Sequence, residues 1–429
     1  MIPNPKQLNR KSAAETRGIG FPSLTFDTPM PASPHQAGTR QFVRTLFESY
    51  DSFYAKEVRS RRFKHADMME ILIALQSSLG GILSIRQVGV SAEGRSINSL
   101  SMGRGKKKIL MWSQMHGDEP TATMGLFDML SWFARNGSAL EAAKILSETS
   151  ILIIPMLNPD GAERFQRRNA QGIDINRDAA SLRTNEAKIL KRVRDEFAPE
   201  YGLNLHDQEP RYTVGSSGKV ATIALLAPAV DVAKSDNAVR IRAKKMAAQL
   251  VDILQPYIDG HISRYDDSFE PRAFGDNVQK WGTSTVLIES GGHADDPAKM
   301  FIRKLNCLAI LGLCYSVATG EIEGAEIRRY EALPENTKNL YDIIIRDATV
   351  TFGGGLNPIV GDVGINEEEV AEGNSVRRRG KIVDFGDLST FTSFVTYDGK
   401  GATLDGNGLK LESYVDVEKL VAGLKRVSR

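Results

Sequence analysis

Gln114-Met115-His116-Gly117-Asp118-Glu119 follows the apolar run Ile109-Leu110-Met111-Trp112 and precedes Pro120 and the apolar stretch 124–129. The run reads as a buried strand and the stretch after Pro120 as a helix, so the hexapeptide sits at a strand-to-helix corner. Side chains leave a rigid scaffold there and point into a cleft. His116 and Glu119 offer an imidazole and a carboxylate, two of the three usual zinc ligand types. The spacing alone is common; its context downstream is what carries weight.

Candidates for a third ligand include five other histidines: His35, His65, His206, His261 and His293. His206 closes the strand-like run 201–205, placed much as His116 is. Two His and one Glu with a fourth position open form the hydrolytic zinc set. Read alone, His206 is equally an ordinary strand-end histidine. Hydrolysis also needs a base. The apolar run Thr285-Val286-Leu287-Ile288 ends in Glu289, Ser290 and two glycines, and burying an unpaired carboxylate costs several kcal/mol unless a partner or a function exists. Glu289 is therefore a candidate general base, the alternative being an ion pair with a nearby Lys or Arg. Between the histidines lie Asn158-Pro159-Asp160-Gly161, a turn by composition, then Arg167-Arg168-Asn169 and Asp174-Ile175-Asn176-Arg177. Guanidinium groups fork carboxylates and stabilise developing oxyanions; a basic cluster is otherwise a solvated face.

This ordered series resembles the zinc carboxypeptidases, or funnelin metallocarboxypeptidases, over roughly 82–320. The resemblance implies roles. His116, Glu119 and His206 hold one Zn2+ per chain. Glu289 is the general base and acid, and Arg167 (or its neighbour Arg168) polarises the scissile carbonyl. Asn176 and Arg177 grip the free C-terminal carboxylate of a peptide substrate, and Asp174 accepts a hydrogen bond from His116. The implied activity is removal of a C-terminal residue. An N-acyl amino-acid deacylase of the desuccinylase branch, or a catalytically inactive binding module, are the alternatives. The chain departs from the digestive branch at Gly117-Asp118, where that branch carries an extra Arg, and at Asp207-Gln208, where it has Ser-Tyr. Tyr265 is an insecure match to that branch's mobile specificity Tyr.

The remaining sequence bounds this reading. The 429 residues are 41% hydrophobic and 25% charged, enough for a large core, and 55 basic against 53 acidic residues leave a net charge of +2. That balance argues against a nucleic-acid partner. No run of 18 apolar residues indicates a membrane span, and the start of the chain lacks the apolar core of a secretory signal, so the cytoplasm is the expected compartment. Cys307 and Cys314 are two helical turns apart on an apolar helix, about 10 Å, too far for a disulfide.

Residues 1–38 read as a poorly ordered leader, 39–320 as the catalytic domain, 322–336 as a polar, linker-like stretch, and 333–429 as a small β-rich accessory domain without chemistry of its own. Strands at 82–88, 96–102, 108–115, 151–157, 202–206, 221–227 and 284–289 alternate with helical patterns. That alternation predicts an α/β fold with a mixed, largely parallel sheet flanked by helices. In the accessory region, strands are expected at 342–352, 381–385, 391–397 and 409–414.

Overall fold

The structure, a computed structural model, is described for residues 36–352, 354–372, 375–406 and 409–427. Most of the expected leader lies outside them. The described residues all fall in one compact unit.

The chain enters through α1 (Ala37–Phe53) and α2 (His65–Leu79). An eight-stranded sheet follows: β1 (Ser84–Val90), β2 (Ser96–Gly103), β3 (Lys107–Trp112), β4 (Thr149–Ile154), β5 (Tyr201–Asp207), then, after the short β6 (Thr213–Val214), β7 (Ile223–Leu226), β8 (Ile262–Arg264) and β9 (Ser284–Ser290). Its order is β1-β2-β4-β3-β5-β9-β7-β8. The centre, β4-β3-β5-β9, is parallel, and β2 and β7 join it antiparallel on either side. The central strands read as unbroken apolar runs because both faces are covered; β9 is buried along its whole length.

Helices α3 (Thr121–Asn136), α4 (Leu140–Glu148), α5 (Pro159–Arg164), α6 (Asn185–Phe197), α7 (Ala238–Leu254), α8 (Phe274–Lys280) and α9 (Met300–Thr319) connect the strands. One face packs against α1, α2, α3, α7 and α9. The other packs against α6 and α8, through Leu190, Phe274 and Val278. Helix α9 is long and apolar enough to cross a membrane by length and composition, yet it is mostly buried, covered by α1, α3, α4 and α7. Cys307 and Cys314 are buried free thiols on it.

After α9 the chain builds a second sheet around a separate core that includes Ile345, Val363 and Ile382. The two-residue β10 (Asn336–Thr337) pairs with β6. Strands β11 (Leu340–Thr351), β12 (Ile359–Glu372), β13 (Ser375–Gly386), β14 (Thr392–Asp398), β15 (Thr403–Asp405), β16 (Tyr414–Val415) and β17 (Lys425–Val427) form a seven-stranded sheet of order β16-β13-β12-β11-β14-β17, with β15 paired to β11.

Four readings need correction. Asn158-Pro159-Asp160-Gly161 is not a bare turn: Asn158 caps α5, its side chain accepting from Gly161 N at 2.8 Å, with Pro159 at the first helical position. The stretch 322–336 is polar in composition but not a loose linker, because Ile322, Ala325 and Tyr330 enter the main core and the Tyr330 hydroxyl accepts from Ala227 N. The strand expected at 409–414 reduces to Tyr414–Val415; the preceding residues turn, with Ser413 N bonded back to Lys410 O. Strands β6 and β8 and helix α8 are too short to show a period and were missed.

Candidate metal centre and active site

The parallel centre of the sheet brings three strand ends together, the place where open α/β sheets present their chemistry. His116 follows β3, His206 lies in β5, and Glu289 lies in β9, with His206 and Glu289 paired in register. The corner after β3 is tight. Gln114 has a φ of 44°, and its carbonyl accepts from Asn158 N at 2.9 Å. A Cβ on Gly117 would lie 2.0 Å from the Gly161 carbonyl carbon. Only glycine lets the two backbones meet there, and that contact holds the His116 corner against the start of α5.

His116 Nδ1 and His206 Nδ1 each lie 2.7 Å from an oxygen of Glu119, the former from Oε1 and the latter from Oε2. The three residues are buried, and their ligand atoms all lie within 4.8 Å of one another. His116 Nε2 is 3.1 Å from Asp174 Oδ1. With Nε2 donating to Asp174, Nδ1 of a neutral His116 ring is left to join Glu119 and His206 as a ligand, and the donor set is the one zinc takes. These residues fit the metal.

Charges around the cluster follow the same logic. Burial pulls His116 down, but the Glu119 and Asp174 carboxylates outweigh it and hold the ring up at about 9. Burial would raise Glu119, yet the two imidazoles keep it well below the usual range. His206 is lowered by burial, and its Nε2 is buried without a partner. Glu289 is raised well above the ordinary range by burial, with the Glu119 charge adding. Its Oε2 is buried and unpartnered, so the expected alternative of a closed ion pair at that oxygen does not hold.

Of the two candidate arginines, Arg167 reaches the cluster. Its Nη1 donates to Glu119 Oε1 at 3.2 Å, and its Nε donates to Asp174 Oδ2 at 3.1 Å. Arg168 turns away and donates to Gly172 O. Asp174 caps the turn that carries Asn176 and Arg177. Asn176 is buried and its side chain accepts from Phe274 N at 2.8 Å. Arg177 lines a depression with Arg168, Asp174 and Arg272 that meets the cluster at Asp174, and its Nε lies 3.5 Å from Glu270 Oε2. Glu270 carried no signal in the sequence. Asp207 and Gln208, the departures from the digestive branch, have structural partners: Asp207 accepts from Thr121 Oγ1 and from Lys299 Nζ, and Gln208 bridges Ala221 O and Asn336 Nδ2. Tyr265 is within electrostatic reach of Glu289, whose charge adds to burial in raising its phenol.

This geometry can be set beside known proteins. Residues 68–206 match the zinc carboxypeptidase family. His116, Glu119, Arg167, Asp174, Asn176, Arg177 and His206 all fall inside that segment, and Glu289 falls beyond it. The chain is 30% identical over 146 residues to a probable carboxypeptidase 2 of Arthroderma benhamiae, covering 33% of this chain and 27% of that protein. It is 31% identical over 140 residues to carboxypeptidase D of Anas platyrhynchos, covering 29% of this chain and 10% of that one. The match thus spans about a quarter or less of these relatives' length. A metallo-carboxypeptidase structure from Burkholderia cenocepacia aligns over 61% of this chain and 70% of its own, with 16% identity and a TM-score of 0.49.

Proposed function

We propose that the protein is a zinc-dependent carboxypeptidase that removes a C-terminal residue from a peptide. The observation that carries this reading is the convergence of His116 Nδ1, Glu119 and His206 Nδ1 within 4.8 Å, beside Glu289 with a buried, unpartnered oxygen. When bound, zinc supplies Lewis acidity at the scissile carbonyl. Glu289 takes a proton from the attacking water and returns it to the leaving amine nitrogen. The Arg167 guanidinium, anchored on Asp174, offers a fixed cation to the developing oxyanion. Asp174 fixes the His116 ring.

Asn176 and Arg177 are the proposed grip on the terminal carboxylate. In the free chain Glu270 faces that guanidinium at 3.5 Å, so the substrate carboxylate has to take Glu270's place.

The test is mass spectrometry of a diverse peptide mixture after incubation with zinc-loaded protein. Loss of single C-terminal residues is expected, and amidated peptides should be turned over much more slowly. Equal turnover of free-acid and amidated peptides would point instead to another amide hydrolase, such as a deacylase. Zinc titration should give one ion per chain, with affinity sharply weakened by His206→Ala.

A further inference from the structure

The depression beside the metal centre is lined by six charged residues: Arg168, Asp174, Arg177, Asp178, Arg183 and Arg272. Four of them are arginines, and they come from four places in the chain. Arg168 lies in the loop after α5, Arg177 on the turn that Asp174 caps, Arg183 just before α6 and Arg272 just before α8. Two hydrogen bonds bring the last of these segments in. Ala179 N donates to Arg272 O at 3.0 Å, and Phe274 N donates to Asn176 Oδ1 at 2.8 Å. The depression measures about 470 Å³, within the ~300–1,000 Å³ typical of a small-molecule site.

Its two carboxylates are engaged elsewhere. Asp178 accepts from Arg183 N, Thr184 N and Thr184 Oγ1. Asp174 faces His116 Nε2 and accepts from Asn176 N and from Arg167. A third carboxylate, Glu270, is forked by Arg272, with Nε to Oε1 and Nη2 to Oε2 both at 2.9 Å, and Arg177 Nε approaches the same Oε2 at 3.5 Å. Asp276 is buried and accepts from Glu270 N. The Arg168 guanidinium donates to a carbonyl, Gly172 O. The Arg183 side chain makes no hydrogen bond or ion pair among the described residues. Glu270 thus serves two of the four guanidinium groups, and no carboxylate serves the other two. Exposed arginines commonly face only water. These four line one concavity that reaches the metal centre through Asp174, and in the free chain two of them already hold a carboxylate. Guanidinium takes that group in paired, charge-assisted bonds.

We infer that this depression receives the C-terminal residue of the substrate and selects one that carries a second carboxylate, as aspartate and glutamate do. Arg177, the proposed grip on the terminal carboxylate, lines the depression, and this places the C-terminal residue there. The α-carboxylate takes Glu270's place beside Arg177, Glu270 stays with Arg272, and the side-chain carboxylate meets Arg168 and Arg183. The inference rests on the peptidase reading and names its substrate class: peptides with an acidic C-terminal residue.

The test uses the zinc-loaded full chain and peptides that share one N-blocked stem and end in Glu, Gln, Leu or Lys. The Glu peptide should exceed its uncharged isostere, the Gln peptide, about tenfold in kcat/KM, the scale that two or three exposed ion pairs reach together, mainly through KM. The Lys peptide should be the poorest. Arg168→Gln and Arg183→Gln should each lower the Glu-to-Gln ratio several-fold, and Arg183→Lys should keep most of it, with thermal melts confirming that each variant is folded. Independently of turnover, titration calorimetry on Glu289→Gln protein should show the Glu peptide binding about tenfold more tightly than the Gln peptide. Equal kcat/KM for the Glu and Gln peptides, equal calorimetric affinities, or a folded double variant, Arg168→Gln with Arg183→Gln, that keeps the full ratio would each overturn the inference and leave the peptidase reading standing. If no peptide loses its C-terminal residue, the peptidase reading itself fails, and the inference with it.

Discussion

Two buried charged clusters lie in the same half of this molecule, and they are built in opposite ways. In one, Asp128 on α3 accepts from Tyr50 on α1, from Ala55 N and twice from Arg303 on α9. The remaining donors of Arg303 go to the carbonyls of Val58 and Ala55. Asp128 and Arg303 have no unpartnered side-chain atom; the cluster is closed and ties three helices and a loop together. In the other, His116, Glu119, His206 and Glu289 are equally buried, yet His206 Nε2 and Glu289 Oε2 have no partner. Burial of charge is common to both. The two differ in whether the charged groups satisfy one another within the chain.

The sharpest way to break the comparison is Glu289→Gln. The amide is nearly isosteric but cannot shuttle a proton, so kcat should fall by about 10²–10⁴-fold with KM little changed, zinc content intact and the melting temperature held. A folded, zinc-loaded variant with near-normal kcat leaves Glu289 as a structural residue.

Asp128→Ala should do the reverse. It leaves the Arg303 guanidinium buried without its partner, which costs about 3–5 kcal/mol of stability, read by denaturant unfolding. Protein that remains folded should bind zinc as before. Unchanged stability would mean that the closed cluster does not hold the helices.

Asp174→Ala is next in size. Losing the carboxylate that orients a ligating His typically costs about 10–100-fold in metal affinity, to be measured by competition with a chelator. Unchanged affinity would remove Asp174 from the metal's support.

Glu270→Gln sharpens the reading of Arg177. Glu270 is held at about 2 by Arg272, with Arg177 adding, and so stays ionised at neutral pH. Removing its charge should lower KM for free-acid peptides several-fold and leave amidated peptides unaffected. No difference between the two would mean that Arg177 does not meet the terminal carboxylate.

The smallest effect concerns Asp276, near the same arginine. Burial raises it from its ordinary 3.8 to about 6, with Glu270 adding. A carboxyl raised on folding contributes stability that is fully present below the unfolded value and is lost as pH rises through the folded one. The melting temperature of Asp276→Asn relative to the native protein should therefore climb between about pH 4 and pH 7. A flat difference across that window would contradict the shift.

Much of the site was legible because its signals are local. The apolar run before His116, the apolar run that ends in Glu289, and the carboxylate in Asp174-Ile175-Asn176-Arg177 are all read within a few residues. Gly117 and Gly161 each stood inside a recognised motif, but nothing in either motif said that they pack against one another. Glu270 lay in a stretch without periodicity, so its approach to Arg177 was invisible. The same limit applied to β6, β8 and α8.

The sequence by itself determined the α/β alternation, the candidate ligands His116 and Glu119 at one strand-to-helix corner and the presence of a second β-rich region. Side-chain period, apolar run length and residue chemistry are properties of neighbouring positions. Tertiary structure alone decided that His206 and Glu289 stand side by side on parallel strands. It decided that Arg167 rather than Arg168 reaches the cluster, and that Arg177 faces Glu270. Each of these depends on how segments distant in the chain are brought together, and that is set by packing the two faces of the sheet rather than by any short stretch of residues.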